Sequence, residues 1–148
     1  MKFGNGSLEK LGTAHTDLQR IFTLAISRSK VDFGITEGHR SIERQKSLFD
    51  MGRSKIDGIN KKGKHNYAPS MAVDIYIYHP DLATRRKLAY NTVHLAYVAG
   101  LVDSVAAELL ERKLITHKIR WGANWDSDGI IALDQSFDDY PHFELVKV

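Results

Sequence analysis

The chain has 148 residues and a mass of 16.7 kDa, enough for one buried core and too little for two ordinary domains. Apolar residues make up 43% and charged residues 26%, which excludes a disordered or fibrous chain, and the lack of cysteine excludes disulfide frameworks, thiolate catalysis and cysteine zinc ribbons. The formal charge of +3 favours an anionic partner, but it is unevenly placed. Arg53, Lys55, Lys61, Lys62 and Lys64 crowd one segment, while Asp126, Asp128, Asp134, Asp138, Asp139 and Glu144 crowd another. Such a division argues against nucleic acid, whose binders spread cations along one face. The longest uncharged apolar run, Leu95–Val102, is too short for a bilayer, so no stable membrane insertion is expected. No apolar signal-peptide core stands near Met1, and synthesis in the cytoplasm is expected.

In chain order, Thr16 and Gln19 form a capping box for a helix over about 16–29, with Leu18, Ile21, Phe22 and Ala25 on one face. Val31, Phe33 and Ile35 alternate as a short strand. Ser41 caps a second helix whose Ile42, Gln45, Leu48 and Phe49 share a face, and Gly52 closes it. Residues 53–66 read as a mobile basic loop. From Ala72 to Tyr78 strict alternation predicts a strand with Val73, Ile75 and Ile77 on one side and Asp74, Tyr76 and Tyr78 on the other. Asp81 then caps a long helix to about Arg112, bent at Gly100, with Val93, Ala96, Tyr97 and Leu101 as its buried stripe. Lys118–Trp121 is a strand, Gly122–Pro141 a long loop and His142–Val148 a closing strand. This order is that of an α+β domain.

Among the histidines, His94 reads as structural, His15, His79 and His117 as exposed at element ends, and His39, adjoining Arg40, remains a candidate. His65 and His142 have chemical company. His65 ends a loop feeding the strand of Asp74, and His142 enters a strand three residues after Asp139. Two imidazoles and a carboxylate suit one zinc ion, with the second carboxylate beside the open coordination position. The HExxH helix of many metalloproteases is absent. A second pattern, Asn124, Asp126, Asp128, Gly129 and Gln135, has the alternate oxygens and glycine of a calcium loop, with an ordinary polar turn as its alternative.

Four motifs in order then become specific: Arg40-Ser-Ile-Glu-Arg-Gln, Lys64-His65-Asn with Pro69-Ser-Met-Ala-Val-Asp74, Arg120-Trp-Gly-Ala-Asn-Trp-Asp126, and Asp139-Tyr-Pro-His-Phe-Glu-Leu145. Over roughly residues 14–145 the chain resembles the M15 zinc peptidases, above all the L-alanyl-D-glutamate endopeptidases that serve as phage endolysins. The resemblance implies a small antiparallel sheet packed against helices, the D-Ala-D-Ala carboxypeptidase and Hedgehog-like fold, as a single catalytic domain over 1–148 without a wall-binding domain. It also implies one zinc held by His65, Asp74 and His142, Asp139 as acid/base and Arg40 facing the substrate. For Arg40 the alternative is an ion pair with Glu37 or Glu43. The chain departs from the family where the spacing from His65 to Asp74 is nine rather than seven, where Gly63 replaces a serine, and where Ala123 and Asn124 replace Gly and Asp. The extra residues near Pro69 and Ser70 are expected to bulge before the strand. The implied partner is the peptidoglycan stem peptide, cut between L-Ala and D-Glu by a monomer released from the host cytoplasm through a holin to the periplasm and wall. A D-Ala-D-Ala carboxypeptidase or dipeptidase, or a non-catalytic wall-binding or virion domain, are the alternatives.

Overall fold

The computed structural model describes residues 1–135 and 137–148. Helices α1 (Asn5–Leu11) and α2 (Thr16–Arg28) lead into strand β1 (Phe33–Glu37) and helix α3 (Ile42–Asp50). A single 3-10 turn, Lys64–Asn66, precedes β2 (Ala72–Ile77). Helices α4 (Leu82–Leu88) and α5 (Thr92–Glu111) follow, and β3 (His117–Gly122) and β4 (Asp139–Lys147) end the chain. The strands form one antiparallel sheet in the order β1-β2-β4-β3. Helices α2 and α5 pack together, and α5 lies against β2, β3 and β4.

The alternation in β2 works as expected. Val73, Ile75 and Ile77 are buried with Phe143 and Leu145 of β4, Ile35 of β1 and Trp121 of β3, against Leu18, Phe22, Leu95 and Val102 of the helices. Every second residue of each strand therefore faces away from this core, which is how Asp74, His142, Glu144 and Arg120 come to share the other side of the sheet.

Several expectations are corrected. The cap of α2 is His15, whose Nδ1 accepts the Asp17 amide hydrogen, and not the Thr16–Gln19 box. Helix α1 was not anticipated; its Ser7 hydroxyl accepts from the Ile35 amide and so fastens it to the β1 edge. In α3 Ser41 does cap, accepting from Arg44, but Ile42 and Phe49 are exposed and only Gln45 and Leu48 are buried. The long helix breaks at Ala89–Asn91, where Asn91 caps α5, and continues unbroken through Gly100. Its buried stripe is Leu95, Val98, Ala99, Val102, Val105, Ala106 and Leu109, on nearly the opposite face from the predicted one, so Val93 and Tyr97 are exposed. By length and mean hydropathy α5 is apolar enough to cross a bilayer, contrary to the reading of Leu95–Val102 alone. Here its apolar stripe is core. Residues 67–69 are exposed, but Ser70 is buried and pairs with the backbone of Thr13 and His15.

Candidate metal centre

The register of the sheet assembles the centre. Asp74 of β2 stands directly opposite His142 of β4, and on its other flank is paired with Glu37 of β1. The 3-10 turn brings His65 to the same place: the Arg40 amide donates to the His65 carbonyl, and the Asn66 side chain donates to the Arg40 carbonyl. Gly38 completes the junction. A side chain on it would collide with the Lys10 carbonyl and the Thr13 hydroxyl, so only glycine lets α1 approach this closely.

Each imidazole has one nitrogen tied down and one aimed at Asp74. His65 Nδ1–H donates to the Gly38 carbonyl at 2.7 Å, leaving Nε2 at 3.2 Å from Asp74 Oδ1. That Nε2 is buried and has no hydrogen-bond partner among the described residues. His142 Nε2–H donates to Glu144 Oε1 at 2.8 Å, leaving Nδ1 at 3.0 Å from Asp74 Oδ1. Tetrahedral zinc ligands at ordinary bond lengths stand roughly 3.3 Å apart. The orphaned lone pair, the spacing and the donor types all fit a zinc ion, and the outward hydrogen bonds are those that orient metal-binding imidazoles.

Charge is concentrated here. Burial opposes ionisation of Asp74, but His142 and His65 outweigh it and hold the carboxyl well below the usual range. His142 is raised to about 10, burial being overcome by hydrogen bonds to Asp74 and Glu144. Asp139, at the start of β4, is half-buried. Burial pushes its carboxyl up and Asp74 adds to this, against the pull of His142, His65 and Arg40. Gly122 is the residue that admits it, since a side chain there would strike the Asp139 backbone.

Arg40 makes the ion pair that the sequence posed as one alternative, and makes it beside Asp74. Its Nε donates to Glu37 Oε1 at 2.8 Å and Nη1 to Gln45 Oε1 at 3.0 Å, while Nη2 bonds Glu37 Oε2 and lies 3.6 Å from Asp74 Oδ2. Glu37, not Glu43, is therefore the partner, and the pair stands at the centre. Sequence reasoning missed Gln45 here, along with Glu144, Arg120 and Trp125 behind His142. The i, i+2 spacing of His142 and Glu144 on a strand was the available signal.

Among the described residues two other clusters lie outside. His15 and His117, expected to be exposed, are half-buried around the buried Asp17, whose Oδ2 accepts from the Thr116 amide and hydroxyl and from the His117 amide and ring. In the 123–138 loop Asp126, Asp128 and Asp134 converge as exposed carboxylates. Gln135, expected to close the calcium pattern, is instead used within the loop. It accepts from the Trp125 amide and donates to Gly122, Phe137 and Asp138. Asn124 accepts from the Gly129 amide.

A family model described as phage L-alanyl-D-glutamate peptidase matches residues 1–146. The chain is similar to the L-alanyl-D-glutamate peptidase of Escherichia phage T5, with 26% identity over 147 residues and 98% of each chain covered. It is also similar to the Bacillus subtilis peptidoglycan L-alanyl-D-glutamate endopeptidase CwlK, with 26% identity over 127 residues, 82% of this chain and 65% of that one. It thus spans just under two thirds of CwlK. Among solved structures, the Serratia marcescens L-Ala D-Glu endopeptidase ChiX superposes with a TM-score of 0.74 and 26% identity, over 99% of this chain and 90% of that one. The α+β architecture with its small antiparallel sheet is thereby the M15 peptidase fold that the motifs implied.

Proposed function

Because the chain belongs to the phage L-alanyl-D-glutamate peptidase family, we propose that it is a zinc endopeptidase that hydrolyses the L-Ala–D-Glu bond of peptidoglycan stem peptides and so lyses a bacterial host. The observation that carries this reading is the convergence on Asp74 of His65 Nε2, buried and without a partner, and His142 Nδ1. These three residues would hold the ion. Bound zinc supplies a water acidified toward neutrality and a Lewis acid for the scissile carbonyl. Asp139 removes the proton from the attacking water and returns it to the departing amine, a task suited to a carboxyl whose proton affinity burial has raised. Arg40 cannot lose its proton. It is fixed by Glu37 and Gln45, and its cationic plane faces the developing negative charge or a substrate carboxylate.

Mass analysis of peptides released from purified peptidoglycan tests this reading. New N-terminal D-Glu is expected; free D-Ala would indicate the carboxypeptidase alternative, and no product a non-catalytic domain. Chelation should abolish the reaction and added zinc restore it, whereas His65→Ala, Asp74→Ala and His142→Ala should each stay inactive with zinc present.

A further inference from the structure

His142 does not set its own orientation. Its Nε2–H is received by Glu144 Oε1 at 2.8 Å, and the second oxygen of Glu144 accepts from Arg120 Nη2 at 2.7 Å. The sheet dictates this chain of contacts: His142 and Glu144 are two residues apart on β4, and Arg120 of β3 is directly opposite Glu144. Trp125 closes it from outside. Its ring lies 5.4 Å from that of His142, the Arg120 guanidinium is 5.7 Å from the same indole, and its Nε1–H is anchored on the Phe137 carbonyl at 2.9 Å.

Glu144 is buried, only 6% exposed, and the Nε of Arg120 is buried with no partner among the described residues. Removing such a pair from water costs about as much as the attraction returns, so net stability does not account for it. Glu144 also stands behind His142, on the ring nitrogen opposite the one that faces Asp74.

We propose that Glu144, held by Arg120 and covered by Trp125, is a positioning residue that fixes the His142 ring and its tautomer, keeping the Nδ1 lone pair directed at the ion. This rests on the zinc reading above. With Glu144 holding a proton on Nε2, Nδ1 is the nitrogen left to give up its proton to the ion; without that carboxylate either nitrogen can do so and the ring is free to turn. Glutamine at this position keeps an acceptor for Nε2–H, whereas alanine keeps none.

The experiment measures zinc affinity by chelator competition and the His142 ring nitrogens by long-range 1H–15N spectra, on the zinc-loaded full chain. Wild type should bind zinc and show His142 protonated at Nε2 and metal-bound at Nδ1. Glu144→Ala should weaken zinc binding by about 10–100-fold, Glu144→Gln should recover most of that loss, and Arg120→Ala should fall between. A purely structural role would lower Tm in all three variants and leave zinc affinity within twofold of wild type, which overturns the proposal. Should Glu144→Ala fail to fold, wild-type spectra with His142 metal-bound through Nε2 overturn it equally. Absence of zinc binding in wild type would instead refute the function reading and this inference with it.

Discussion

Asp138 and Asp139 are neighbouring carboxylates in different surroundings. Asp138 is exposed and accepts from the Gln135 side chain, while Asp139 is half-buried and feels the charges of His142, Asp74 and His65. Asp139→Asn should therefore keep zinc and lose on the order of 10²–10⁴ in kcat, the usual contribution of a positioned acid/base, while Asp138→Asn stays near wild type. Equal losses in steady-state assays would put the base elsewhere. Asp17 makes a different prediction, about acid stability. Burial opposes its charge, but hydrogen bonds from His117 and Thr116 outweigh this and lower its pKa below the usual 3.8. A lowered folded-state pKa gives stability that is present above the unfolded value and lost as pH falls through the folded one. Asp17→Asn should thus cost about 1.5–3 kcal/mol at pH 7, and urea denaturation curves of mutant and wild type should converge as pH falls through the lowered Asp17 pKa.

Elements differed in how much of them the sequence disclosed. The β2 alternation was legible because a half-buried strand must repeat every second residue, and this singled out Asp74 as a polar residue sent to the far face. The ordered motifs likewise brought His65, Asp74 and His142 forward before any geometry was known. Helix α5 was misread for a physical reason: it is apolar on nearly every side, so its pattern cannot choose even between opposite stripes. The break before it went unseen because Ala89-Tyr90-Asn91 has neither glycine nor proline, and only the Asn91 cap marks a new start. Arg120 and Glu144 could not be paired from the sequence at all, since their meeting depends on the β3–β4 register. At Gly122 that register leaves no room for a side chain beside Asp139. Gly122→Ala should cost about 1–3 kcal/mol by overpacking and also depress kcat, because the strain falls on Asp139; a folded variant of unchanged kcat would show that the β4 start can shift freely.

For the molecule as a whole, the proposed ion would join three segments: the 3-10 turn, β2 and β4. A ligand bound only by the folded state at a thousand times its Kd adds about 4 kcal/mol, so zinc should raise Tm by roughly 10 °C over the chelated protein, and His65→Ala should erase the difference. The same arrangement has a consequence in time. Asp74 and His142 are 68 residues apart, and they become neighbours only when β4, the last strand, inserts between β2 and β3. Closing so long a loop belongs late on the folding route, after the local helices have formed. Zinc then finds its site only once the chain has crossed the main barrier, and it acts as a latch on the finished protein rather than as a seed. Stopped-flow measurements should show saturating zinc slowing unfolding while leaving the refolding rate unchanged. Acceleration of refolding by zinc would mean that the two strands find one another before the rest of the sheet exists.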